Sequence, residues 1–340
     1  MIVRTASLFV RMIRVRVAIT MWTFMLLGLA RHATPTVGSD LLFATVALAA
    51  SYVTATTLND LADVEIDRLN RPTDRGRPLV VGDAAPADLW RTHGLAVAAA
   101  ATASVPLGPN AMAIVGSSLL LSYAYSGAPF RISRRWSLAP VLLAAAYVVV
   151  PYALGVALSA GRWDAGDAPL VGGLFVLFLA RIVLKDFRDR MGDEAFGKRT
   201  LLGRIGKDAT CRLSMGGVIA GTAVMTAGVA PSAVGAGVLS LGAAGIVWQL
   251  GRLRRATDPV LEQVAIGLAA RIGNGLLCAT LAWLLLERAD ASDAEATFLI
   301  VLLGVVFALA VLPAALDPAS VRIGYKAFPG ASDRAGPFGG

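Results

Sequence analysis

The chain has 340 residues, 56% of them hydrophobic and 16% charged, with a mean hydropathy of +0.67. Soluble domains carry about 25% charged residues, so the composition excludes a soluble globular protein and indicates an integral membrane protein. The formal charge of +8 does not imply a nucleic acid partner, because the basic residues are spread between apolar stretches and form no single patch.

In chain order, apolar stretches suited to spanning a bilayer occupy 15–31, 39–58, 88–107, 110–126, 138–160, 169–185, 209–230, 232–251, 265–287 and 297–314. Most approach the ~20 residues that a ~30 Å hydrocarbon core requires. Short segments of alternating polarity are absent, so the spans are helices and not barrel strands. The first stretch lacks a short apolar region with a small-residue cleavage site, and is expected to be a retained helix. Abundant Gly, 35 residues, permits close helix contacts in lipid. Cys211 and Cys278 lie in or beside spans and are expected to be buried thiols, not a disulfide pair. The fold class is therefore all-α, a polytopic transmembrane bundle.

Placing the N-terminus in the cytoplasm puts Arg4, Arg11, Arg14 and Arg16 inside, followed by Arg68, Arg71, Arg75 and Arg77. Arg131, Arg134 and Arg135, the basic residues of 185–207, Arg252, Arg254 and Arg255, and Arg322, Lys326 and Arg334 join them. The outside connections carry little beyond Arg31, Arg162 and Arg288, and the last is acidic at Glu287, Asp290, Asp293 and Glu295. This is the positive-inside pattern, and it predicts ten spans with both termini cytoplasmic. The expected location is the plasma membrane. Arg181 and Arg271, inside spans, read as snorkelling towards the inner face.

Span two runs into Asn59, Asp60, Asp63 and Asp67; span six runs into Lys185, Asp186, Asp189 and Asp193. The offsets 186−60, 189−63 and 193−67 are all 126, so both runs read D-x-x-D-x-x-x-D. On a helix these positions share one face about two turns long. One such run at a membrane end would be an ordinary solvated terminus. Two matched runs on the same side indicate a site. Carboxylates so crowded need neutralising, and Mg²⁺ with a polyanion suits hard oxygen ligands. A diphosphate held between two stripes would be a good leaving group, and an apolar bundle would suit an isoprenoid chain. No zinc-type cluster, phosphate-binding glycine loop or nucleophile elbow is present, and His32 and His93 stand alone. Glu65 and Glu194 read as solvated loop faces.

The run from Asn59 to Asp67 continuing into Arg68, Arg71 and Pro72, and the run from Lys185 to Asp193 continuing through Gly197 to Thr200 and Leu201, resemble the two signature motifs of the UbiA superfamily of intramembrane prenyltransferases. Arg14 and the Tyr125-Ser126 turn followed by Arg131 also resemble family positions. The resemblance covers roughly 10–287 and implies nine transmembrane helices around a central cavity, with the stretch at 297–314 extra to that plan. It implies one transmembrane domain over 1–318, capped by cytoplasmic loops at about 59–87, 127–137 and 186–208, with a loosely ordered tail at 319–340. Asn59, Asp60, Asp63, Asp67, Asp186, Asp189 and Asp193 would bind Mg²⁺ and diphosphate, with Asp63, Asp67, Asp189 and Asp193 catalytic. Arg14, Arg68, Arg77, Arg131 and Lys185 are candidates for the diphosphate oxygens, each alternatively a topology determinant. Tyr125 and Asn274 would line an acceptor pocket or simply pack.

The expected activity is Mg²⁺-dependent transfer of a prenyl group from its diphosphate to an aromatic or lipid-like acceptor, through an allylic carbocation. The alternative is a membrane terpene cyclase that needs no second substrate. A transporter is a third reading, disfavoured because inverted-repeat transporters place their sites near the midplane.

Overall fold

The computed structural model describes residues 2–159, 161–229 and 233–316; the expected tail at 319–340 lies outside them. Among the described residues the chain is helical throughout, without strands. Helices α1 (Ile2–Met12) and α2 (Val15–His32) meet at Arg14, and the two axes bend by 63° there. Helices α3 (Ser39–Ala62) and α4 (Val64–Asn70) break at Asp63. Then come α5 (Pro86–Ser104), α6 (Pro109–Ser126), α7 (Leu138–Ala144) and α8 (Val150–Leu158), the last two joined by a π-helical turn at Ala145–Val149. Helix α9 (Asp167–Ile182) passes through a 3-10 turn into α10 (Asp186–Ala195). The remainder is α11 (Leu201–Val229, kinked at Gly206), α12 (Ala233–Arg255), α13 (Pro259–Arg288) and α14 (Asp293–Leu316).

Local chemistry sets several of these boundaries. Pro86, Pro109 and Pro259 each sit at a helix start, where the missing N–H costs nothing. The Asp258 carboxylate accepts from the Val260 amide at 2.7 Å and so caps α13.

In its described residues, each apolar stretch read from the sequence falls on a helix or a joined run of helices, the 138–160 stretch up to Leu158. By length and composition, 39–62, 138–158, 167–195, 233–255 and 259–288 can cross a membrane, and α1 with α2 makes a sixth as one bent span. That is fewer than the ten expected spans. Polar and small residues dilute α5 and α6, where Asp88, Arg91, His93 and Asn110 sit within the first turns. These helices are nonetheless integral to the bundle, α5 packing along α3 and α6 against α3 and α8.

The helices close into a ring. Helix α3 packs on α5 and α6, α6 on α8, α8 on α2, and α2 on α13; α13, α12, α11 and α9 follow in sequence, and α9 meets α7. Helix α14 packs on the outside of α13, with Phe307 over Gly275, and most of its described large apolar side chains are exposed. Cys211 is buried as expected, but Cys278 is exposed on α13. At the end of the ring away from the acidic runs, Tyr152 donates to Asp167 at 2.6 Å and the His32 ring lies 3.0 Å from the same carboxylate. That buried cluster ties α2, α8 and α9 together.

Helices α2 and α8 cross closely. A Cβ on Gly155 would lie 1.9 Å from the Met25 carbonyl oxygen, and one on Gly28 would lie 2.2 Å from that of Tyr152. Both obstacles are backbone, so neither can step aside. Gly155→Val should therefore separate the helices and destabilise the protein by about 1–3 kcal/mol, read as a lower thermal midpoint in detergent; an unchanged midpoint would contradict this packing.

Candidate active site

The two acidic segments touch. Helix α4 packs on α10, where the Gly192 amide donates to the Asn70 side-chain oxygen at 2.6 Å. A Cβ on Gly192 would lie 2.6 Å from the Ile66 carbonyl oxygen. The glycine before Asp193 is thus required by helix approach. The second run occupies one continuous helix, as its spacing predicts. The first does not: Asp60 lies in the last turn of α3, Asp63 sits at the break (φ −116°, ψ 17°), and Asp67 lies on α4. The break, not a single helical face, turns Asp63 and Asp67 towards α10.

Between the segments lies a cavity of about 190 Å³ whose wall includes Asn59, Asp63, Asp67, Asp189 and Asp193. Asp60 and Asp186 are buried beside it without lining it. Asp60 receives Arg14 at 2.7 and 2.8 Å and also Arg77. Arg77 reaches Asp67 at 2.8 Å and donates to the Asn59 oxygen at 3.2 Å, while Asn59 donates to Asp63 at 3.0 Å. From the other side, Arg71 pairs with Asp189. Lys198 lies 3.3 Å from Asp193 and 3.7 Å from Asp63, bridging the two runs. Lys185 donates to the Tyr125 hydroxyl at 2.8 Å.

Of the cations expected at the site, Arg14, Arg77 and Lys185 line the cavity. Arg14 gets there from a left-handed backbone, φ 45°, at the α1–α2 bend. A non-glycine residue held there stores strain that surrounding structure must offset, and its double contact with Asp60 does so. Arg68 instead points outward and pairs with Glu65 across one helical turn. Arg131 is exposed after Pro129 and does not line the cavity. Tyr125 lines the cavity, but Asn274 does not: it accepts from Arg181 at 2.6 Å, between α13 and α9. Arg181 is thus held by a neighbouring helix, where snorkelling was expected. Glu65 and Glu194 are exposed, as expected.

The sequence reading gave no site role to Arg71, Arg188 and Lys198, all of which line the cavity. Arg71 follows Asp67 by one helical turn, and Lys198 follows Gly197, whose φ of 62° ends the turn after α10. The spacing of Arg71 was a usable signal; nothing local distinguished Lys198 from Arg199.

Six carboxylates in or beside the cavity (Asp60, Asp63, Asp67, Asp186, Asp189, Asp193) meet six cations (Arg14, Arg71, Arg77, Lys185, Arg188, Lys198). Net charge is near zero, so a bare cation or a bare polyanion would unbalance a buried site, whereas the two together would not. Burial pushes Asp67 up to about 6, against the pull of Arg77 and Arg71. Burial opposes the charge on Lys198, but Asp63 and Asp193 outweigh it and hold its pKa above the ordinary value. Asp67 Oδ2 and Asp193 Oδ1 are buried; each has an ion-pair contact, yet no aligned hydrogen bond. Hard, under-satisfied carboxylate oxygens on facing helices fit Mg²⁺.

The sequence model of the UbiA prenyltransferase family matches residues 17–268. Over 209 residues the chain is 35% identical to a digeranylgeranylglyceryl phosphate synthase from Methanoculleus marisnigri, covering 58% of this chain and 68% of that relative. It is 34% identical over 164 residues to a homogentisate phytyltransferase from Synechocystis sp., 46% of this chain and 51% of that one. In fold it is similar to a UbiA homolog from Archaeoglobus fulgidus bound to GPP and Mg²⁺, with a TM-score of 0.62 at 14% identity over 82% of this chain and 99% of the other.

Asp67 makes the site sensitive to pH. Its folded pKa, about 6, exceeds the ordinary 3.8, so the folded state holds this proton longer than the unfolded chain. Without metal, stability should fall as pH rises from about 4 to about 7, and Mg²⁺ should restore it at pH 7. Metal affinity should weaken as pH drops below about 6. Asp67→Asn should flatten both trends in thermal midpoints and calorimetry.

Proposed function

The chain belongs to the UbiA prenyltransferase family, and on that premise we propose that it moves a prenyl group from a prenyl diphosphate to an aromatic or lipid-like acceptor, with Mg²⁺ as cofactor. One observation carries the reading: carboxylates from two segments over a hundred residues apart converge, with Arg14, Arg71, Arg77, Lys185, Arg188 and Lys198, on one cavity at the end of an apolar bundle. The names of the relatives support both acceptor classes, one a glyceryl phosphate lipid and the other homogentisate. The proposed unit is a single domain over 1–318.

Bound Mg²⁺ would neutralise diphosphate oxygens and stabilise the charge that grows as the prenyl C–O bond breaks. Asn59, Asp63, Asp67, Asp189 and Asp193 would hold the metal, with Asp60 and Asp186 behind them. Asp60 fixes Arg14 and Arg77. Arg77, Arg71, Lys185 and Lys198 offer donors to the departing diphosphate. Tyr52 and Tyr147 line the cavity, where aromatic rings would favour an allylic cation, and the apolar surroundings exclude water. The acceptor nucleophile then bonds to the prenyl carbon. Its proton passes to a carboxylate or to the released diphosphate.

The site is proposed to face the cytoplasm of the plasma membrane, with both termini on that side. The arginines and lysines around 68–77, 131–135 and 185–207, all at the site end of the bundle, support that orientation.

Asp63→Ala and Asp189→Ala should each lower Mg²⁺-dependent turnover of a prenyl diphosphate by about 10²-fold or more, while Arg68→Ala should stay near wild type. Full activity in either aspartate variant would refute the assignment. Release of a hydrocarbon or alcohol from donor alone, with no acceptor, would establish a cyclase instead.

A further inference from the structure

A groove separate from the charged cavity runs between α5 and α6, with α3 as its floor. Its volume of about 600 Å³ lies within the ~300–1,000 Å³ usual for sites that hold a small molecule. Leu120 and Tyr123 on its wall are 72% and 47% exposed, so it opens to the outside of the bundle. It stands back to back with the charged cavity. Helix α3 turns Thr54 and Leu58 into the groove but Tyr52 and Asn59 into the cavity, and α6 divides in the same way. Most of the groove is apolar, lined by Leu58, Val97, Ala113, Leu119 and Leu120. A Cβ on Gly116 would meet nothing within 4 Å, so the wall is open there.

Four polar side chains line the groove, and each directs its proton away from it. Thr54 donates to the Ala50 carbonyl at 3.1 Å, Ser117 to that of Ile114 at 2.7 Å, and Tyr123 to that of Ala128 at 2.5 Å. The state of His93 follows from its neighbour. The Thr57 hydroxyl lies 3.1 Å from His93 Nδ1. Its single proton is directed to the Val53 and Thr54 carbonyls of its own helix, at 2.8 and 3.0 Å. The Thr57 oxygen therefore accepts from Nδ1–H, and the neutral ring keeps a bare lone pair on Nε2. An imidazolium here would be an uncompensated charge facing lipid, and no carboxylate, lysine or arginine lines the groove.

The groove thus offers a ligand hydrogen-bond acceptors and no counter-charge. A phosphate or carboxylate would find no donor, and an ammonium would find no anion. A neutral hydroxyl suits both conditions. Its place is also defined: His93 lies seven residues into α5 and Tyr123 three residues from the end of α6, both at the end of the bundle that carries the acidic runs. From Tyr123 back to Ala113 the groove follows α6 for ten residues, about 15 Å. A polar rim with an apolar channel below it matches one hydroxyl head and one chain.

We propose that this groove binds a single-chain lipid with a neutral hydroxyl head, taken from the bilayer, the O–H donating to His93 Nε2 and the chain lying along α6 towards Ala113. The site does not depend on the prenyl diphosphate reading and stands or falls separately from it.

The chain has two histidines, so ¹⁵N-histidine spectra of the full-length protein in lipid nanodiscs resolve His93 directly, with His93→Leu for assignment and His32 as internal control. The free protein should show the Nδ1–H tautomer of His93. Dodecanol should shift its Nε2 signal saturably and leave His32 unmoved. Dodecyl methyl ether, which has no donor, and dodecyl phosphate should each bind at least threefold more weakly. In His93→Leu, calorimetry should show alcohol and ether binding alike. Gly116→Leu, which fills the channel and leaves His93 in place, should weaken dodecanol binding at least threefold, and it serves if His93→Leu fails to fold. A proton on Nε2, a shift that never saturates, or a wild-type protein that binds ether or phosphate as well as alcohol would overturn the proposal.

Discussion

Carboxylates cannot be buried side by side at the end of a membrane bundle unless cations meet them, and that constraint organises this protein. Removing either sign alone would leave uncompensated buried charge, which costs several kcal/mol. The balance explains features remote from one another in sequence. Arg14 accepts a left-handed backbone at the α1–α2 bend to reach Asp60. The turns after α4 place Arg71 and Arg77 against carboxylates of both runs. Lys198 links the runs directly. A site neutral in this way is poised for a metal and a polyanion together, because each would compensate the charge the other brings.

Helix packing supplies the second requirement, a precise distance between the acidic segments. Glycine at 192 brings α10 onto the backbone of α4, and glycines at 28 and 155 do the same for α2 and α8. In lipid such contacts rely on van der Waals fit more than on hydrophobic burial. The ring that results keeps charge at one end and apolar space behind it. Aromatic residues 52, 147 and 178 mark the boundary.

Much of the site was legible in the chain before folding was considered. Matched spacing of Asp60, Asp63 and Asp67 with Asp186, Asp189 and Asp193 identified the two segments, and all six carboxylates do gather. The cations were less legible. Arg68 and Arg71 are three residues apart in the same basic run, yet Arg68 pairs outward with Glu65 while Arg71 crosses to Asp189. Composition cannot separate them, because the choice depends on which face of a seven-residue helix meets α10. Arg131 was expected at the site because it resembles a family position, and Asn274 as an acceptor-pocket candidate, but neither loop path nor helix rotation brings them to the cavity. The uninterrupted helical face assumed for the first run failed at Asp63, where the chain bends.

What the amino-acid order determines by itself is the medium, the helical class and the two acidic runs. These follow from transfer energies and from 3.6-residue periodicity, both local properties. Tertiary structure alone decides which cations pair with which carboxylates, how large the charged cavity is, and that Tyr147 on its wall stacks on Phe178. Those outcomes depend on helix rotation, on a break at one aspartate and on the approach of distant backbones, and no window of sequence contains that information.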